Sequence, residues 1–403
     1  MTTELTTDAA TTATKTVKVN PDLDFIREVM AAGGDTLKKC FQCATCSVVC
    51  SLTPDERPFP RKEMIWASWG LKDKLISDPD VWLCHQCNDC SVYCPRGAKP
   101  GDTLAAVRNY MFKTFTFPSF IGTWLSSPKY LPLVFAVPII LLLIACNMGM
   151  IPEAAGHGKL LASQVHFEEF LPHKNLYFVF ITATHLAGLF LVIGLVKFWK
   201  VLGTSTQTGA GSNPGGPTQG NIGASVVATI KEIITHAQFK KCQESNHRYL
   251  GHLGIMYGFL LLAIGTAIEI FMLYALGTKL PLPQLSLPKI LGHLGFVALV
   301  AGLIIVIARR LSGKENVSKS SYQDWYLLLV LLAVAITGQL VEFVRYSGYA
   351  GMAYSVYFVH LVFVFALIGY FPYSKFAHMF YRFVAILHSK YTGRDASVAQ
   401  AAA

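Results

Sequence analysis

Charged side chains are scarce in this 403-residue chain: Asp, Glu, Lys and Arg together make up 14%, while 53% of the residues are hydrophobic. A soluble domain usually carries about a quarter charged residues, so composition alone excludes a wholly water-facing fold. Lys and Arg outnumber Asp and Glu 34 to 24, but they gather at the ends of apolar runs. That placement is the mark of membrane orientation and argues against a nucleic-acid partner. Cysteine is rare outside two short stretches, which hold eight of the ten. No phosphate-binding glycine loop and no flavin fingerprint is present, so nucleotide chemistry is not expected of this chain. The first residues, MTTELTTDAATTATK, lack the apolar segment of a secretory signal. The cysteines are therefore expected in the cytoplasm, where disulfides do not persist.

What the chain does have is a duplicated motif. CFQCATCSVVC at 40–50 and CHQCNDCSVYC at 84–94 share the spacing C-x2-C-x2-C-x3-C. Three cysteines two residues apart wrap one cube of iron and sulfide, and the fourth reaches across to the other cube. The spacing therefore predicts two [4Fe–4S] clusters, one held by Cys40, Cys43, Cys46 and Cys94, the other by Cys84, Cys87, Cys90 and Cys50. Pro95 follows the second motif as expected, whereas Ser51 follows the first. Structural zinc more often uses separated C-x2-C pairs, which disfavours that alternative. His85 reads as a surface residue beside the ligands, and Cys146 and Cys242 as plain small residues.

Residues 1–20, rich in Thr and Ala, read as a disordered tail. A small soluble domain follows at 21–117, with helices near 22–32, 60–77 and 101–114. The aromatic, proline-broken stretch at 118–129 reads as an interfacial linker. Six spans are predicted at about 130–150, 176–199, 249–276, 288–309, 322–344 and 354–376, within a membrane domain over 130–378. A flexible loop occupies 202–221, and 379–403 forms a tail. After the loop, Val226, Val227, Ile230, Ile233 and Ile234 make one helical stripe, suited to a helix lying on the membrane surface. The fold class is mainly α: a small helical two-[4Fe–4S] ferredoxin domain ahead of a six-helix transmembrane cytochrome b bundle.

An even number of spans places both termini on one side. The loops on that side carry fourteen Lys and Arg against five on the other, which predicts a multi-pass protein of the cytoplasmic (inner) membrane with both termini inside.

Histidine in a membrane helix is costly and usually functional. His360 and His378 stand 18 residues apart, five helical turns, or about 27 Å on one face, which suits two haems stacked across a bilayer. Pro372 between them is expected to bend that helix. His252, at the inner end of span three, is the expected partner of His378. The outer partner of His360 is His293, with His185 as the alternative. LGHLG occurs at both 250–254 and 291–295, and its glycines offer room for a flat macrocycle. His157, His166, His173, His236, His247 and His388 lie outside the spans and read as solvent-facing. Glu269 and Glu342, with Gln339 and Arg345 near the latter, are candidates for a quinone head group, although Glu342 and Arg345 also suit a simple ion pair.

HRYLGHLGIMYGF and VHLVFVFALIGYFPYSKFAH resemble the cytochrome b subunit of respiratory nitrate reductase. The resemblance implies haem b ligands at His252, His360 and His378; a fourth histidine of that pattern falls on Leu262 here. The front domain resembles the small iron–sulfur subunit of heterodisulfide reductase, and the membrane part resembles that enzyme's cytochrome component. Their fusion in one chain is similar to the C component of the quinone-interacting membrane-bound oxidoreductase family. That resemblance implies exchange of electrons with menaquinone, two cytoplasmic flavin and iron–sulfur partner subunits, and a link to adenylylsulfate reductase in sulfate respiration. A quinone-linked subunit of heterodisulfide- or ferredoxin-type oxidoreductases is the alternative, and a zinc-binding membrane transporter or structural protein a more remote one. In each redox reading the chain is a subunit and not a complete enzyme.

Overall fold

A computed structural model describes residues 20–54, 58–147, 165, 167–207, 220–241, 246–278, 281–313, 317–347 and 350–393. The expected tail at 1–19, most of the flexible loop, His157, His166 and Cys242 lie outside these residues. Among the described residues every regular element is helical.

The front domain is built from α1 (Leu23–Val29), α2 (Thr45–Val48), α3 (Arg61–Ser68), α4 (Lys72–Ile76), α5 (Asp80–Leu83), α6 (Asp89–Val92) and α7 (Pro100–Phe115). Asp22 starts α1 by accepting the Phe25 amide at 2.9 Å, one of the orphan donors of a first turn. Gly33, at φ 123°, turns the chain away from the π-helical turn that follows α1, a conformation costly for any residue with a Cβ. Pro100 opens α7, where its missing amide is harmless.

The domain does not close on itself. Trp82 packs on Phe112 of α7, but also on Phe198 and Tyr381 from the membrane part, and it is almost wholly buried. Leu191 and Leu202 of α11 (His173–Gln207), and Ala385 of α17 (His378–Tyr391), complete this core. The C-terminal part of a long helix thus serves as a wall of the front domain, and the two parts share apolar burial.

Between the two parts lies α8 (Ser119–Ser126), so the expected interfacial linker is itself helical. Six helices are long and apolar enough to cross a membrane: Pro128–Cys146 (a short turn and α9, Leu131–Asn147), and segments of α11, α13 (Asn246–Ala275), α14 (Leu287–Leu311), α15 (Tyr322–Ser347) and α16 (Ala350–Ile368). A short α10 (Phe167–Phe170) precedes α11.

Two expectations need correction here. Three of the four LGHLG glycines, Gly251, Gly254 and Gly295, serve helix packing, while a Cβ on Gly292 would meet open space. A Cβ on Gly254 would fall 2.8 Å from the Ala298 carbonyl, and one on Gly295 2.9 Å from the Gly258 carbonyl. Small residues let α13 and α14 touch backbone to backbone, the usual source of cohesion between helices in lipid. Second, His360 and His378 do not share a helix. Helix α16 ends at Ile368, and two tight turns (Phe371–Tyr373, Lys375–Ala377) lead to α17, which His378 opens. Pro372 has no amide to give the Ile368 carbonyl, so the break falls where that hydrogen bond would form. The turn is fixed from outside: Lys375 pairs with buried Asp324 of α15, which Arg310 of α14 also reaches at 3.2 Å.

Helix α12 (Ile222–Thr235) fits its expectation of one apolar face. Ser225 and Thr229 are buried on the side that packs on α17, and Ile222, Val227, Ile230 and Ile234 are exposed. Lys390 holds it to α17 through Glu232 at 2.9 Å.

Candidate redox centres

The two cysteine motifs fold alike. Gln42 and Ala44 in the first, and Gln86 and Asn88 in the second, all take positive φ (62°, 69°, 53° and 74°) at equivalent positions. Alternating left-handed residues curl a short chain into a concave loop whose amides point inward, as an anionic cluster requires. Sulfurs are used as acceptors: Cys84 takes the Gln86 amide at 3.3 Å, Cys94 the Ala98 amide at 3.3 Å, and Cys40 the Gln42 side chain at 3.2 Å. Such bonds set the potential of a bound cluster.

The thiols fall into two electrostatic groups. Cys46 is pushed up to about 11 by burial and then by its neighbours Cys40, Cys94 and Cys43. Cys50 is pushed up to about 12, again by burial first, with Cys84 and Cys87 adding to it. Cys90 lies well above an ordinary thiol, from burial and then from Cys84, Cys87 and Cys50, with Cys46 of the other group the smallest contributor. Crowded, partly buried thiols part with protons when a cationic centre takes up the thiolate charge. The donor set fits iron–sulfur clusters: each group draws three cysteines from one motif and one from the other.

The second motif is clamped to the membrane part. Arg108 of α7 donates to the Cys84 carbonyl at 2.8 Å and the Gln86 side chain at 3.1 Å. Arg382 of α17 donates to the Leu83 carbonyl at 3.3 Å and meets Nε2 of His85; Arg248 of α13 donates to the His85 carbonyl. His85 is buried, not a surface residue, and its pKa falls well below the usual value through burial and then these arginines. A neutral imidazole is the form that accepts from a guanidinium.

His252 and His378 stand directly behind this clamp, each within electrostatic reach of the other. His378 directs Nδ1 to the Lys375 carbonyl at 2.6 Å, and burial pushes its pKa down to about 4. His252 Nδ1 lies 2.9 Å from Nε2 of His236, whose own Nδ1 faces the Ile234 carbonyl at 3.3 Å. Both Nδ1 atoms are engaged, which leaves each Nε2 for a metal; that is the usual arrangement of ligating histidines. The donor chemistry of the pair therefore suits a haem, which these two Nε2 atoms would hold. His236, expected to face solvent, is buried at the end of α12 in a left-handed conformation (φ 51°). Only a faint sequence signal points to it, a histidine directly after an amphipathic helix and close before His252. His388 is likewise buried, against Trp199.

The outer candidates separate. His360 points at α15, with Nδ1 2.9 Å from the Thr337 hydroxyl and its ring against Gly338, where a Cβ would fall 3.0 Å away. His293 meets the next residue, Gln339, at 3.4 Å, and Gln284 at 3.4 Å. Successive helical residues point roughly 100° apart, so His360 and His293 occupy different faces of α15. His185 is exposed on α11 and bonds its own helix at Ile181, 2.8 Å away. Among the described residues, no hydrogen bond joins His360 to either candidate partner. Leu262, where a fourth histidine would fall, packs on Gly295.

The quinone candidates also divide. Glu342 lies with Gln339 beside His293 (3.9 Å) and pairs with Lys289 at 3.1 Å, not with Arg345. Arg345 instead covers the Phe167 ring. Glu269 faces the Tyr177 and Tyr274 pair between α13 and α11.

Comparison with known proteins bears on both halves of the chain. Residues 126–400 match the family profile of citrate utilization protein B, and residues 36–98 match a 4Fe-4S dicluster domain. Citrate utilization protein B of Escherichia coli is 28% identical over 341 residues, 79% of this chain and 84% of that protein. The C component of the H(2):CoB-CoM heterodisulfide,ferredoxin reductase of Methanothermobacter marburgensis is 43% identical over 95 residues, 23% of this chain and 50% of the relative. An Archaeoglobus profundus protein described as like the C component of heterodisulfide reductase is 34% identical over 88 residues, 22% of this chain and 47% of the relative. The chain thus spans about half the length of these reductase components. No solved structure matches.

Proposed function

Since the chain belongs to the citrate utilization protein B family and carries a 4Fe–4S dicluster domain, we propose that it is the membrane electron-transfer subunit of an oxidoreductase that joins a cytoplasmic partner to the quinone pool. One observation carries this reading: the loop of the second motif is bound by Arg248 and Arg382, which belong to the same helices as His252 and His378.

Cys40, Cys43, Cys46 and Cys94 would hold one cluster, Cys84, Cys87, Cys90 and Cys50 the other, and His252 with His378 a haem b. Bound clusters and haem supply one-electron steps that no side chain here performs. The protein's own part is placement. Arg108 and Arg382 fix the second loop, the Asp324–Lys375 pair fixes the turn before His378, and His236 fixes His252. Trp82, stacked on Tyr381, keeps water out of the junction.

Within the bilayer, His293, Gln339, Glu342 and Lys289 offer an imidazole, an amide, a carboxylate and an ammonium suited to a quinone head group such as that of menaquinone. His360 stands on another face of the same turn of α15. The iron–sulfur domain and both termini lie on the cytoplasmic side in this reading, as the Lys and Arg distribution favours. The relatives' names attach a heterodisulfide to one group and citrate to the other. Neither name reaches beyond the proteins that bear it, and in this reading substrate chemistry, adenylylsulfate reduction included, is assigned to partner subunits.

The test is quantification of iron and haem in the purified full chain, with optical and EPR spectra before and after dithionite. About eight non-haem irons per chain, reducible cluster signals and a low-spin b-type band are expected. Zinc in place of iron, or no haem band, would overturn the reading.

A further inference from the structure

The two motifs share a fold but not an environment. The second is enclosed: Cys84 and Cys90 are buried, and arginines from α7, α13 and α17 hold its loop. The first lies open. Cys43 is exposed, Phe41 beside it is 67% exposed, and Val48 on α2 is 84% exposed. Val92, the equivalent of Val48 in the second motif, and the next residue, Tyr93, are also exposed, and helix α6, which Val92 ends, packs against α2. Apolar side chains from both motifs thus form one uncovered patch around the first cysteine loop. Nothing in the fold of the cysteine loops requires Val48 to be valine at that exposure.

The rim of this patch is basic. Arg96 lies over the Phe41 ring at 4.1 Å, and Arg61 donates Nε to the Gln42 carbonyl at 3.1 Å. Both arginines are exposed, as are Lys38 and Lys39 on the turn just before Cys40. These cations sit in the soluble domain, away from the span ends, so membrane orientation does not account for them.

We propose that the face formed by Phe41, Cys43, Val48 and Val92, rimmed by Arg61 and Arg96, docks an acidic electron-carrying protein whose redox centre lies at its own surface. The inference rests on the electron-transfer reading above. A small apolar centre with a charged rim is the form of a transient redox encounter: the centre excludes water and the rim steers approach. Positive charge here selects a partner whose centre is ringed by carboxylates. The enclosed second motif offers such a partner no comparable approach. In each encounter the carrier loses one electron and the first cluster gains it, or the reverse; no bond is made or broken. The order of transfer is then partner, first cluster, second cluster, and the His252/His378 site.

The experiment uses the full cluster-loaded chain in detergent, with reduced flavodoxin as an acidic protein probe and reduced methyl viologen as a small cationic control. Stopped-flow bleaching of the clusters gives the second-order rate constant across ionic strength. For the R61E/R96E double variant we expect at least about a tenfold fall with flavodoxin at low salt and a flattened salt dependence. Val48→Asp should lower the same rate. Methyl viologen rates should not fall and EPR cluster signals should be unchanged in both, and Lys231→Glu, on the distant helix α12, should behave as the native chain. The proposal is overturned if R61E/R96E matches Lys231→Glu. It is also overturned if anionic phosphatidylglycerol vesicles alone occupy the face and abolish cluster reduction by flavodoxin, since the face would then be a lipid contact. Absence of reducible clusters in the native chain would instead remove the electron-transfer reading itself.

Discussion

Arg382 and His85 lie 297 residues apart in sequence, and the guanidinium of the first meets the imidazole Nε2 of the second. This contact joins the helix opened by His378 to the loop opened by Cys84. Arg382 also reaches the Leu83 carbonyl at 3.3 Å, so one side chain spans both sides of Cys84. Soluble and membrane parts are registered to each other at the point where an electron would cross.

Replacing Arg382 should therefore affect transfer more than cofactor content. In Arg382→Gln both cluster and haem signals should persist, while haem reduction after rapid cluster reduction slows by about tenfold or more, since small displacements at such a junction are costly. Arg382→Lys should not restore the rate, because the lysine side chain ends about one bond short of the guanidinium nitrogen that makes both contacts. Double-mixing stopped flow reads both, and native kinetics in the glutamine variant would refute the assignment.

His236 should act on haem through His252. With iron on His252 Nε2, the Nδ1 proton points at His236 Nε2, while the His236 Nδ1 proton is given to Ile234. The His236 ring is then a neutral acceptor, which agrees with the downward shift of its pKa by burial. An acceptor behind a ligating imidazole makes the ligand a better electron donor and stabilises ferric iron. His236→Ala should raise the haem midpoint potential and weaken haem retention by about 10–100-fold. His236→Gln, whose carbonyl oxygen still accepts, should recover part of both. Redox titration with haem quantification is the measurement; an unchanged potential in the alanine variant would place His236 outside the ligand's reach.

How much of this is legible in the residues alone follows the range of each signal. The cysteine spacing, the helical class and the number of long apolar helices are local or periodic properties, and sequence carries them directly. Pro372 marks a bend, but not its size. The break depends on Lys375 finding Asp324 on another helix. His236 reads as solvent-facing because amphipathicity places a helix at a surface without saying what its end residue meets. Similarly, the LGHLG glycines could face a cofactor or another backbone; Gly302 opposite Gly254 and Gly258 opposite Gly295 decide for the backbone at those two positions. Pairings between distant segments, such as Glu342 with Lys289, have no sequence periodicity to reveal them.

Cluster occupancy should follow the crossed grouping of thiols. Cys94 belongs electrostatically with Cys46, and Cys50 with Cys84, Cys87 and Cys90. Cys94→Ser should damage the same EPR signal as Cys43→Ser, and Cys50→Ser the same one as Cys87→Ser. If Cys94→Ser instead perturbs the signal lost in Cys87→Ser, each motif holds its own cube. Iron content should fall by up to about half in each single variant if one cluster is lost cleanly.

The last prediction concerns pH. Lys62 lies 3.1 Å from Glu63, 2.5 Å from Asp78 and 2.6 Å from Asp80, so three carboxylates share one ammonium. Glu63 is buried, and burial raises its pKa well above the ordinary carboxylate value, with Asp78 and Asp80 adding to the shift. The folded chain thus holds a proton that the unfolded chain releases near about pH 4.3. The sign follows: this carboxyl favours folding below the unfolded value, and that contribution is lost as pH rises toward the folded one. The slope is about 1.4 kcal/mol per pH unit within the window. Glu63→Gln removes the titrating group and keeps a neutral side chain of the same shape. Thermal unfolding of the full chain in detergent, from about pH 4 upward, should show the variant gaining on the native protein as pH rises, with little difference at the acid end. Parallel curves across the range would mean that Glu63 is ionised in the folded state and that Lys62 balances all three carboxylates.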